Sequence, residues 1–439
     1  MGKSTRTSTV ILCTLSICLV LTTASTWWAC GQTTRPISQD TPQIQYGAEI
    51  LIQQKINLIQ HKKIAIVTNH TGRVFEQIHL VDTLMALNLN IQKIFAPEHG
   101  FRGEAEAGAH ILGGKDMQTG LPLISLYGDN KKPSAQDLKD VDLILFDIQD
   151  VGTRFYTYLS TLVYVMEACA ENNVALWVLD RPNPNGWYIG GPMLDSAYAS
   201  FVGLHNVPVV HGMTLGEYAR MVNAEGWLKG NIKCRLEVIP CAGYRHDMRW
   251  ADLNRAWVPP SPNLPTALSA AWYPVFCWYE GTPVSVGRGT DAPFEQVGAP
   301  WHIAFKRRIR TDSAEGKSVY SVYGNTFQPA AFMPMPIPGK ALQPLYEAQT
   351  CYGVRALDHN TSGDSIWLAG LQLLGSFHQE YKQSGNPKPF FQPFFRKLAG
   401  NATLEKDIES GKTTASIMAA WNTAHAPFRG LRKKYLLYP

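Results

Sequence analysis

An α/β fold is predicted: a Rossmann-like, doubly wound and mostly parallel sheet, followed by a second, smaller α+β domain. Three observations lead there. Four short runs, IAIV (64–67), KIFA (93–96), LILF (143–146) and ALWVL (175–179), are apolar almost throughout rather than alternating, the pattern of parallel strands buried on both faces. Helical stretches separate them, so strand and helix alternate as in βαβ units. Beyond residue 230 the rhythm changes, and Pro and Gly become frequent.

In chain order, GAEILIQQKINLIQ predicts a helix over 46–60 that leads into a strand at 63–68. A helix at 77–88 precedes a strand at 91–96. LISLY gives a further strand at 123–127, followed by a short helix at 134–140. A strand at 142–148, a helix at 154–172 and a strand at 175–180 complete a first domain over 43–230. The second domain, 231–439, holds short β segments and helices at 363–382 and 403–424, while the prolines of 259–265 rule out regular helix there. No helix opens with GxGxxG and no GK[ST] loop is present, which disfavours a nucleotide, and no cofactor is expected.

Residues 1–29 read as a secretory signal. Lys3 and Arg6 precede an apolar stretch from Val10 to Ala24 that is too short and too polar for a good membrane span. Ala29 before Cys30 resembles a bacterial lipobox with Cys30 acylated, although Trp27 departs from the usual Leu; an ordinary signal cleaved nearby is the alternative. Residues 30–42, rich in Thr, Gln and Pro, then form a flexible tether. The protein is thus expected in the cell envelope, attached to the membrane through its lipid alone.

With Cys30 acylated, five other cysteines remain in the mature chain, an odd and scattered set that is neither a disulfide framework nor a metal-ligand pattern. The formal charge of +5 falls to +3 when Lys3 and Arg6 leave, and no basic run suggests nucleic acid as a partner. Twelve Trp and eighteen Tyr serve mostly as core, but are also suited to stacking on sugar rings.

Six polar runs carry the chemistry: TNHTG (68–72), PEHGFRGE (97–104), FDIQDVGTRFYTY (146–158), LDRPNPNG (179–186), PPSPNLPT (259–266) and YEGTPVSVGRGTDAPFEQVGAPW (279–301). The first four follow predicted strands, and ligands of open α/β sheets bind outside the carboxyl ends of the strands. Asn69, His70, Glu98, His99, Asp147, Asp150, Arg154, Asp180 and Arg181 therefore converge on one crevice, with Tyr156 and Tyr158 at its mouth. Glu98 is the main catalytic candidate, since a carboxyl presented by a loop can donate a proton to a leaving oxygen; the structural alternative is an ion pair with Arg102 or Arg73. Asp150 is the second candidate, one of Asp147 and Asp150 facing the pocket while the other caps a helix beginning near Thr153. Asp180 and Arg181 are read either as a carboxylate–guanidinium brace or as site residues. Glu280 and Arg288 lie in a glycine-rich loop able to approach a ligand closely, Arg288 otherwise pairing with Asp291 or Glu295. His70, His99 and His211 lack zinc-site spacing, so no metal is expected. No GxSxG elbow supports a serine triad.

These runs, together with LYGDNKKP (126–133), VVHGMTLGEYARMVN (209–223) and the closing KKYLLYP (433–439), resemble the exo-β-N-acetylmuramidases of the NamZ type from about residue 45 to the end. The resemblance implies a Rossmann-like domain with a smaller C-terminal domain and a site at their interface. It also implies release of N-acetylmuramic acid from the non-reducing end of peptidoglycan glycans, and a catalytic role for the Glu of PEHG, here Glu98. Muramic acid carries a lactyl carboxylate, for which Arg154, Arg181 and Arg288 are the candidate partners. Two rivals are a non-catalytic glycan- or muropeptide-binding lipoprotein and a metal-dependent hydrolase.

Overall fold

In the computed structural model, residues 44–439 are described apart from 76, 99, 103–113, 303–326 and 358–360. The signal, Cys30, the tether and His99 lie outside the described residues. Seven strands form the principal sheet: β1 (Ile64–Thr68), β2 (Ile91–Ala96), β3 (Gly114–Lys115), β4 (Pro122–Ser125), β5 (Leu143–Asp147), β6 (Ala175–Leu179) and β7 (Arg235–Ile239). Their order is β7-β6-β5-β1-β2-β4-β3, and every neighbouring pair is parallel except β3 with β4. With β3 set aside, this is the 3-2-1-4-5-6 order of Rossmann folds. The order reverses at β1, so the crevice opens between the carboxyl ends of β1 and β5, where Thr68 is paired with Asp147. The parallel sheet takes in β7, beyond residue 230.

The apolar runs are continuous because both faces of the sheet are covered. Ile64, Ile66, Leu143 and Leu145 pack on one side with Leu80 and Leu84 of α1 (Leu80–Ala86). Ala65, Val67, Ile144 and Phe146 pack on the other with Leu159, Leu162 and Met166 of α2 (Tyr158–Glu171) and with Tyr218 and Val222 of α3 (Leu215–Glu225). Helix α3 starts at a reciprocal cap, in which Thr214 Oγ1 accepts from the Glu217 amide and Glu217 accepts from the Thr214 amide, and ends at Gly226 with φ 73°.

The second half supplies α4 (Ala267–Phe276), a three-stranded antiparallel sheet, and further helices. The strands are β8 (Gln296–Ala299), β9 (Phe327–Phe332) and β10 (Cys351–Ala356), with β10 central. The helices are α5 (Gly363–Gln383), α6 (Pro393–Ala399), α7 (Thr403–Glu409) and α8 (Thr414–Lys433). Trp272, Trp278, Trp367 and Phe377 of this half share one hydrophobic cluster with Phe146 and Leu162 of the first.

Three predicted helices differ in detail. The segment at 46–60 is helical only in short α, π and 3-10 turns, Gly47–Ile50, Leu51–Lys55 and Ile56–Leu58. The helix expected over 154–172 begins at Tyr158. The one expected over 403–424 is two helices, because Gly411 at φ 74° cannot continue a right-handed helix. Cys234 and Cys241 do not pair: both are unpaired thiols, Cys241 donating to the Asp180 carbonyl at 3.1 Å while Cys234 lies against Cys169.

Candidate active site

Glu98 follows β2 at the carboxyl edge of the sheet and is half-buried. Thr157 Oγ1 donates to Glu98 Oε2 at 2.8 Å, and the Tyr158 hydroxyl donates to the Glu98 backbone carbonyl at 3.3 Å. Thr157 is the N-cap residue of α2, a position where a threonine oxygen ordinarily accepts from the helix. It makes no such cap bond here, its hydroxyl being turned to the carboxylate instead. Arg102, the alternative partner suggested by the sequence, pairs with Asp116 at 3.0 Å and Asp82 at 3.4 Å.

Glu98 lines an open cleft of about 420 Å³ together with Glu280 and Arg288 from the second half of the chain. The size suits a sugar with its substituents. Arg288 Nε donates to Glu280 Oε1 at 2.7 Å, rather than pairing with Asp291 or Glu295, and its guanidinium lies over the Phe294 ring. Although burial lowers it, the Glu280 charge holds the Arg288 pKa above its ordinary value. Glu295 is held by Thr266 and by Arg355 at 3.0 Å. The cleft also receives Tyr127, Lys131, Phe201 and Tyr273, none of which was singled out in the sequence. Burial first, then the Glu98 charge and a hydrogen bond to it, push the Tyr127 hydroxyl up to about 12, so it remains a donor at neutral pH.

The other predicted residues converge on the same edge but work as framework. Asp147 is fully buried and accepts from Arg181 at 2.6 and 3.0 Å. The brace foreseen for Arg181 therefore runs to Asp147, while Asp180 accepts from Thr214, Gly216 and Tyr438. Arg181 also donates to the Arg73 carbonyl and lines a separate pocket beside Tyr46. Asn69 is buried, donating to the Tyr158 hydroxyl at 2.8 Å and accepting from Thr71. His70 reaches the Pro259 carbonyl at 2.6 Å, tying the PPSPN segment to β1, and burial lowers its pKa.

Neither Tyr156 nor Tyr158 stands at the mouth of the cleft: both are buried, Tyr156 edge-on against Tyr158 and Tyr273. Arg154 is likewise withdrawn, with all its donors that find partners directed to backbone carbonyls: Pro192 and Val207 at 2.8 Å, Ala399 at 2.8 Å and Leu398 at 3.1 Å. Burial lowers its pKa to about 9, which leaves it a cation at neutral pH. Among the described residues, no three His, Cys, Asp or Glu side chains gather as metal ligands.

Asp150 does not line the cleft either. Its Oδ2 accepts from the Gly152 amide at 2.7 Å, an Asx turn rather than a helix cap, since α2 starts only at Tyr158; Oδ1 is buried without a hydrogen-bond partner among the described residues. Burial pushes its carboxyl from 3.8 up to about 7, against the pull of the Gly152 and Val151 amides. The folded state thus holds this proton more tightly than the unfolded chain. The stabilisation is full below the unfolded value and is lost as pH rises through about 7. Asp150→Asn, which imitates the neutral acid, is expected to flatten the decline of melting temperature between pH 5 and pH 8. A decline as steep as in the parent would refute the assignment.

Residues 64–268 match the family described as exo-beta-N-acetylmuramidase NamZ, N-terminal, and residues 271–438 match its C-terminal counterpart. The chain belongs to the NamZ exo-β-N-acetylmuramidase family. It is 37% identical over 402 residues, 90% of this chain and 92% of the other, to the peptidoglycan beta-N-acetylmuramidase NamZ of Bacillus subtilis (strain 168). Two solved structures of DUF1343 family proteins from Bacteroides fragilis share the fold. One is 40% identical with a TM-score of 0.74, the other 30% identical with a TM-score of 0.75; each covers 90% of this chain and 99% of the matched one.

Proposed function

We propose that this protein is an exo-acting glycoside hydrolase that releases N-acetylmuramic acid from the non-reducing end of peptidoglycan fragments. The observation that carries the reading is the meeting of Glu98 and Glu280, one from each half of a NamZ-family chain, in a single cleft. Most glycoside hydrolases use two carboxyl groups flanking the bond. Glu98 gives its proton to the glycosidic oxygen as the bond to the anomeric carbon breaks. Water supplies the hydroxyl to that carbon and returns a proton to the site. Glu280, positioned by Arg288, stabilises the positive charge that develops on the ring. Asp150, expected from the sequence to be the second catalytic group, is assigned no chemical step because it is enclosed away from the cleft.

The deciding assay incubates purified protein with a chromogenic β-N-acetylmuraminide, with and without chelator. Release of the chromophore at the same rate in both is expected. Binding without turnover would instead mark a glycan-binding lipoprotein, and loss of activity with chelator a metal-dependent hydrolase.

The segment before the fold is read as a signal whose cleavage leaves an acylated Cys30, placing the enzyme on a membrane of the cell envelope. Its support is the Ala29-Cys30 junction after a short apolar stretch. Wild-type protein should fractionate with membranes, and the Cys30→Ser variant should appear in the soluble envelope fraction. A soluble wild type would exclude the anchor.

A further inference from the structure

Among the described residues two cations line the Glu98 cleft, Arg288 and Lys131. Arg288 already serves Glu280 through its 2.7 Å ion pair. Lys131 differs. Its neighbour Lys132 pairs with Glu167 at 3.1 Å and Glu171 at 2.7 Å, whereas no ion pair with a carboxylate holds Lys131 among the described residues. The Lys131 ammonium stands 5.0 Å from the centre of the Phe201 ring, which itself stacks on Tyr164 at 5.8 Å. An aromatic face offsets part of the cost of an unpaired ammonium without satisfying its three hydrogen-bond donors. The side chain is therefore held at the cleft wall with its charge available.

The substrate proposed above supplies the matching group. N-acetylmuramic acid differs from N-acetylglucosamine by a lactyl ether that ends in a carboxylate. Among the described residues two carboxylates, Glu98 and Glu280, line the cleft, so a third, brought by the sugar, needs a cation that neither of them has taken. We infer that Lys131 receives the lactyl carboxylate and is the residue by which this cleft prefers muraminides to glucosaminides. This rests on the muramidase reading and replaces Arg288 in the role the sequence suggested for it. Arg154 and Arg181 are excluded from that role, the first by its carbonyl partners and the second by its bidentate bond to Asp147. Phe201 restricts where the ammonium can move, so the contact selects a position as well as a charge.

The test compares wild type, Lys131→Met and Lys131→Arg on chromogenic β-N-acetylmuraminide and β-N-acetylglucosaminide. Met keeps the apolar stem on Phe201 and removes the charge. The ratio of kcat/KM for the two sugars should fall by roughly tenfold to a hundredfold in Lys131→Met, the span of a charge-assisted contact. The fall should come mainly through KM for the muraminide, and Lys131→Arg should restore most of it. A structural role would move both sugars together; an equal loss on both, or none on either, overturns the inference. Calorimetric binding of free N-acetylmuramic acid and N-acetylglucosamine gives a readout that needs no turnover. If the wild type hydrolyses neither sugar, the muramidase reading fails, while weaker binding of N-acetylmuramic acid alone in Lys131→Met would still support the carboxylate contact. Binding that is unchanged for both sugars would remove it.

Discussion

Glu98→Gln is expected to leave the fold and sugar binding intact and to reduce kcat by about two to four orders of magnitude, the usual contribution of a general acid. The amide keeps the shape of the carboxyl and its oxygen still accepts the Thr157 hydroxyl, so the bond that anchors this side chain to α2 survives. What is lost is a transferable proton. KM for a chromogenic muraminide should therefore change little while kcat collapses. The two carboxylates of the cleft are not equivalent in their surroundings. Glu280 faces an arginine at 2.7 Å, whereas Glu98 is approached by the hydroxyls of Thr157 and Tyr127. The Arg288 ion pair fixes the orientation of Glu280 beside the sugar ring, while no ion pair ties Glu98 among the described residues, which leaves it free to face the leaving oxygen. A Glu98→Gln enzyme with more than a tenth of the wild-type kcat and a native melting temperature would move the acid role elsewhere.

The sheet was legible because its strands are buried on both faces. IAIV and LILF are apolar at every position since Ile64 and Ile66 meet α1 while Ala65 and Val67 meet α2 and α3. Glu98 could be placed at the edge of the sheet because it follows such a run directly, and Glu280 and Arg288 because glycines surround them. Helix starts were less legible. Thr157 looks like any other threonine before a helix, and only the position of Glu98 explains why it abandons the capping bond. The Gly411 break could not be separated from an isolated glycine within a helical pattern.

Partners distant in sequence were not legible. Asp147 and Arg181 each end a strand with a charge, and pattern alone cannot distinguish two site residues from one buried brace; β5 and β6 are adjacent in the sheet, which brings them together. Lys131 and Lys132 are adjacent and identical in type, yet one is drawn to Glu167 and Glu171 while the other remains at the cleft. That difference depends on which way a short loop faces, and no periodicity records it.

Arg154 gives the sharpest separation between the sequence reading and the structure. As a substrate ligand, its loss would raise KM and spare stability. In the fold it is almost wholly enclosed, 1% exposed, and it joins the loop before α2 to carbonyls as far away as Leu398 and Ala399, 245 positions along the chain in the latter case. The neighbouring backbone is shaped around it: Gly400 adopts φ +80°, and a Cβ there would lie 2.4 Å from Arg154 Nη2. Arg154→Met keeps the length and the apolar stem but withdraws the donors from four buried carbonyls. Val207 still accepts from the Leu194 amide at 3.2 Å, but each acceptor left orphaned costs about 1–3 kcal/mol, offset in part by relief from burying a charge. A net loss of about 3–5 kcal/mol is therefore expected, read as a fall in melting temperature and in the denaturant midpoint at unchanged slope. Arg154→Lys should recover little of it, because a single ammonium cannot span carbonyls on two sides where a planar guanidinium can. At temperatures where the variant is still folded, KM for the muraminide should stay near the wild-type value. A raised KM with an unchanged melting temperature would instead return Arg154 to the binding site and undo its assignment as the clamp between the two halves of the chain.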